Sequence, residues 1–103
     1  MTQIERIQEM EQCLDTSALA FRNLAAALDE YEAAQKAYQK LIGYYDSPRW
    51  IKDFEDDETG RLPQDLKRGV LSEDAVYDLI ADSRELKIRM MKLLTKTLEK
   101  DLP

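Results

Sequence analysis

The stretch GYYDSPRWIKDFEDDETGRLPQDLKRG, residues 43–69, decides the fold, because Gly43, Pro48, Gly60, Pro63 and Gly69 all fall within these 27 positions. On either side the chain carries no glycine or proline until Pro103. Glycine and proline are the strongest local breakers of regular structure, so their confinement to one segment predicts two long helices joined by a structured head. Gly43 is read as the left-handed residue that ends the first helix. Ser47 and Pro48 then give an N-cap followed by proline at the first helical position, which predicts a short helix over about 48–57. From Gly60 the pattern is turn, a single helical turn and turn, with Leu62, Leu66, Val70 and Leu71 as expected buried anchors.

Working outward, Thr2 with Glu5 three residues on fits a capping box, so the first helix is expected to start there. A seven-residue frame places Ile7, Leu14, Phe21, Leu28 and Ile42 at one core position and Met10, Leu24, Tyr31, Tyr38 and Tyr45 at the other. Ser17 and Gln35 interrupt it. Ala18, Ala20, Ala25, Ala27 and Ala34 flank the row and let another helix approach closely. Beyond the head, Ser72 is expected to cap the last helix, whose row is Val76, Leu79, Leu86, Met90 and Leu93, broadened by Ile80, Leu94 and Leu98. Seven of the eight aromatic residues lie from Tyr31 to Tyr77. Trp50, Ile51 and Phe54 should therefore fold against the end of the first helix.

The fold expected is all-α: one domain over 1–103, a long antiparallel helical hairpin of about 3–42 and 73–100, and a small helical head over about 47–71. Two helices packed only on each other leave part of each wide apolar row exposed. Self-association as a coiled-coil-like or four-helix-bundle dimer would cover the remainder.

Within the head, W-x-x-D-F-E at Trp50–Glu55, G-x-L-P at Gly60–Pro63 and L-K-R-G-V-L-S-E-D at Leu66–Asp74 form a distinctive string. The segment from Tyr44 to Ile80 resembles the bacterial family known as domain of unknown function 4298. That resemblance implies a short, cytoplasmic, mostly helical bacterial protein, and it brings no activity and no functional residues to carry over.

Composition removes much chemistry. Histidine is absent and Cys13 is the only cysteine, which excludes a disulfide framework, His/Cys zinc sites and His-dependent triads. Cys13 itself, without activating neighbours, reads as a packing residue. No apolar run approaches a bilayer span, and the first ten residues lack an apolar signal core, so a cytoplasmic protein without membrane attachment is expected. The net charge is −6. Its one basic run, Arg84, Lys87, Arg89, Lys92, Lys96 and Lys100, sits where the dipole of the last helix favours cations, and nucleic acid is not expected as a partner.

The acids Asp53, Glu55, Asp56, Asp57 and Glu58 are the nearest approach to a divalent-cation site, but Glu58 stands where an EF-hand loop needs glycine. Lys67 and Arg68 before the Ser72 cap suggest anion capture, against the structural alternative that they pair with acids such as Asp53 or Glu55. Trp50 is either an interface centre or a buried anchor. These readings lead to a non-enzymatic protein–protein interaction or assembly module with no cofactor and no metal. Homo-oligomerisation is expected, and the candidate interaction surface is Arg49, Trp50, Asp53, Glu55, Lys67 and Arg68. The alternative is a head that binds a small anion or a divalent cation.

Overall fold

The computed structural model describes residues 1–101, so the last two positions of the expected 1–103 domain lie outside the described residues. Its elements are α1 (Gln3–Tyr45), α2 (Pro48–Glu58), a single 3-10 turn (Gly69–Leu71) and α3 (Ala75–Asp101). Among the described residues there is no strand, as an all-α class requires. The chain divides into two compact units, Met1–Lys40 and Leu41–Pro103.

The first unit is α1 up to Lys40. Thr2 Oγ1 accepts the Glu5 N–H at 3.1 Å, which satisfies one of the amides that a helix start leaves orphaned. Eight alanines from Ala18 to Ala37 and the lack of breakers sustain the helix locally. Its apolar row is poorly covered. No residue of α1 is buried, and Ile7, Met10, Leu14, Phe21, Leu24 and Leu28 remain between 47% and 71% exposed. The frame marks which face is apolar, and nothing within this unit itself buries that face.

The second unit starts with the last turns of α1 and corrects the reading of two glycines. Gly43 does not end α1, which continues to Tyr45. Glycine weakens a helix without ending it, and here the stop comes from Ser47 and Pro48. The left-handed residue is Gly60, at φ 74°. It closes α2 in a Schellman arrangement: the Gly60 N–H bonds the Asp57 carbonyl at 3.1 Å, and the Arg61 N–H bonds the Asp56 carbonyl at 2.9 Å. Ser47 is the α2 N-cap residue by position, yet its hydroxyl turns backward and donates to the Tyr44 carbonyl at 2.5 Å. The Tyr44 carbonyl thus accepts both the Ser47 hydroxyl and, at 3.0 Å, the Ser47 N–H, which closes the last turn of α1. Ser72 does cap α3: its Oγ accepts the Ala75 N–H at 3.2 Å and donates to the Gly69 carbonyl at 2.8 Å.

The 3-10 turn packs against both α2 and α3, and the buried centre of the unit lies there, at Leu71 and Val76. Leu62 and Val70 are half-buried, as anchors should be. Leu66 and Ile51 are exposed instead. Leu66 occupies the tip of a turn whose N–H bonds the Pro63 carbonyl, and Ile51 lies on α2 away from the Trp50–Phe54 face. On α3, Thr95 and Thr97 return their hydroxyls to the Met91 and Leu93 carbonyls at 2.9 Å, which satisfies them without a partner element.

Candidate functional site

The head is built around Trp50. Proline at the first position of α2 sets the helix so that Trp50 and Phe54, one turn apart, share a face. The Trp50 ring meets Tyr45 edge-on, with centroids 4.9 Å apart, and stacks on Phe54 at 5.2 Å. Both geometries suit the aromatic quadrupole. The Trp50 Nε1–H donates to the Val70 carbonyl at 2.9 Å, tying α2 to the 3-10 turn twenty residues on. Trp50 is therefore an anchor of the head, half-buried, rather than a freely displayed ring.

Asp53, on the next part of the same helix, accepts the Tyr44 hydroxyl at 2.6 Å. Desolvation of the phenol, then its hydrogen bond to Asp53 and the negative charge of that carboxylate, push the Tyr44 pKa up from 10.0 to about 12. The phenol is held protonated as a donor, which fixes the end of α1 to α2.

Arg68 organises the loop between α2 and the 3-10 turn. Its guanidinium donates to Asp57 Oδ1, to the Pro63 carbonyl and, through Nε at 3.3 Å, to the Leu66 carbonyl. One planar fork thus gathers a helix carboxylate and two loop carbonyls, a task matched to the fixed donor geometry of arginine. The structural alternative named Asp53 or Glu55 as the acid; the acid that the loop brings to Arg68 is Asp57. Asp56 is approached by Lys52 at 3.3 Å and by Arg61 at 3.6 Å, exposed pairs worth little individually.

The six residues of the candidate surface thus separate into two groups. Trp50, Asp53 and Arg68 point into the head and hold it together. Arg49, Glu55 and Lys67 are exposed. Asp57 was read from sequence only as one of the acidic run, and neither it nor Tyr44 was placed on the candidate surface. Nothing local marks their pairings, which depend on the return of the loop and on the continuation of α1 through Gly43. Among the described residues, no three acidic or sulfur side chains converge as a metal site would require. Among the described residues, no helix is long and apolar enough to cross a membrane.

Together these features define a small all-helical protein with an aromatic, ion-paired head and long helices whose apolar faces remain largely open. The chain matches the family described as Domain of unknown function (DUF4298) over residues 7–93, and it belongs to that family. The match begins at Ile7 in the α1 row and ends at Leu93 in α3, so it takes in much of both long helices as well as the head. No curated protein and no solved structure matches the chain.

Proposed function

We propose that this protein is a non-enzymatic assembly module, in which α1 offers its apolar row to another helical surface and the head presents Arg49, Glu55 and Lys67 at its surface. The observation that carries this reading is the exposure of Ile7, Met10, Leu14, Phe21, Leu24 and Leu28 along one face of a 43-residue helix with no buried residue. Covering the exposed half of each such side chain contributes on the order of 1 kcal/mol. A row of this length far exceeds the scattered single exposures that ordinary surfaces tolerate. The alanines beside it favour a helix as the covering element, since small side chains admit a close backbone approach.

The test is photo-crosslinking in the native cell from a benzophenone side chain placed at Phe21, on the row, and at Asp29, off it. A discrete adduct from position 21 and none from position 29 supports the reading, whatever the mass of the adduct. No adduct from position 21 sinks it. The ion-binding alternative has less to stand on: Asp53, Asp56, Asp57 and Arg68 are already engaged with protein groups.

A further inference from the structure

We infer that the second half of α3, from Leu86 to Lys100, lies in the interface of an anionic phospholipid membrane. This is independent of the assembly proposed for α1.

Two features meet on this half-helix. The first is an open apolar face. At 3.6 residues per turn, Leu86, Met90, Leu93, Leu94 and Leu98 share one side of α3, and each is between 40% and 58% exposed. Thr97, the polar residue in the middle of that side, donates its hydroxyl to the Leu93 carbonyl at 2.9 Å, so it enters an apolar medium already satisfied. The second feature is charge. From Leu86 to Leu98 there are four bases, Lys87, Arg89, Lys92 and Lys96, and no acid, in a chain whose net charge is −6. Arg89, Lys92, Lys96 and Lys100 follow one another at intervals of three and four residues, so they form one stripe on the other side of the helix. Among the described residues none of these four makes an ion pair, although Glu85 and Glu99 are close along the helix.

The helix dipole does not account for this stripe. Its effect on cations falls off within the last turn, and of the four bases only Lys100 lies in that turn. A helical partner does not require the stripe either, because bases turned away from such a partner face water, where any polar residue serves. Nucleic acid would take the stripe and leave the apolar face uncovered. An anionic bilayer surface uses both. The apolar side chains enter the boundary between headgroups and acyl chains, while cations across the width of a helix stay within about one Debye length of the headgroup charge. Span length, which argues against crossing a bilayer, does not bear on a helix that lies in its surface. Toward the head the same stripe continues as Asp78, Asp82 and Glu85, which an anionic surface repels, so contact is confined to the turns beyond them.

The experiment sediments the full chain with vesicles of equal parts phosphatidylglycerol and phosphatidylcholine, and with vesicles of phosphatidylcholine alone, at physiological ionic strength. Binding to the anionic vesicles is expected to be tighter by at least about tenfold. K92Q/K96Q should weaken it by about 30-fold, since each base near such a surface contributes about fivefold. Burial is read separately. An environment-sensitive fluorophore on C13S/L94C should shift its emission to the blue on anionic vesicles, and the same label on C13S/E99C, on the polar side, should not. The substituted side chains are all exposed, so the fold should tolerate the changes. No binding, equal binding to both vesicles, or binding unchanged by K92Q/K96Q overturns the inference. Binding without a blue shift at position 94 also overturns it, because the charges then adhere without the apolar face. A chain that ignores the vesicles but retains a short DNA duplex, and loses it with K92Q/K96Q, assigns the stripe to nucleic acid instead.

Discussion

Replacing Trp50 by phenylalanine keeps a ring beside Tyr45 and Phe54 but removes the Nε1–H that the Val70 carbonyl accepts at 2.9 Å. Losing such a hydrogen bond costs about 1 kcal/mol net, and the smaller ring leaves some unfilled space, so W50F should destabilise the fold by about 1.5 kcal/mol. Alanine removes more. Each aromatic pair contributes about 0.5–1.5 kcal/mol beyond its area, and adding the lost hydrogen bond puts W50A near 3 kcal/mol. That is the lower end of the range for truncating a core tryptophan, as a half-buried ring should give. Urea unfolding followed by far-UV circular dichroism measures both variants, and melting of W50F should fall by roughly 6–12 °C at the usual sensitivity of a domain this size. The reasoning fails if W50A shifts stability by less than about 0.5 kcal/mol, the range of ordinary surface changes. It fails also if W50F is as costly as W50A, because the ring contacts would then contribute nothing.

Three further outcomes are expected. A Cβ at Gly43 meets nothing within 4 Å, and the residue is helical, so G43A should raise stability by about 0.5–1 kcal/mol; G60A should lower it by about 1 kcal/mol because its φ of 74° strains any Cβ. Chemical unfolding of the two variants side by side checks the opposite signs. The Tyr44 phenol has its pKa raised to about 12 from 10.0, so its contribution is complete below pH 10 and is lost as pH rises toward 12. Melting temperature against pH should therefore steepen downward above pH 10 in the wild type, and Tyr44→Phe should flatten that segment. Millimolar Mg²⁺ or Ca²⁺ should leave melting unchanged beyond the effect of matched ionic strength, since the head's aspartates already serve Tyr44, Lys52, Arg61 and Arg68; a cation-specific rise in a thermal-shift assay would revive the ion-binding alternative.

Much of the architecture was readable because it is locally encoded. Thr2, Pro48 and Ser72 mark helix starts through chemistry confined to three or four residues, and the structure uses all three positions. Gly43 misled because a glycine near the end of an apolar rhythm looks like a cap, whereas the stop lies a few residues further on; Gly60 acquires its role only once the end of α2 is known. In the head, residue type announced that Arg68 would find an acid. Which acid depends on how residues 59–67 return, and that is a tertiary matter. The link from Trp50 to Val70 is of the same kind, spanning twenty residues between elements whose sequences do not specify each other. The α1 row was legible as a face, but its covering was not, because burial belongs to whatever surface meets it.

Trp50 is the only tryptophan in the chain, and it sits against two other rings and a backbone carbonyl inside the head. Its emission is therefore an optical reporter of the head alone, whereas the dichroism of the whole molecule is dominated by the long helices. Following the two signals together during denaturation resolves whether the head loosens before, with or after the helices, without any label being added. The same signal reports any contact that reaches Trp50 or the Tyr45 ring against it, by changing the colour of the light.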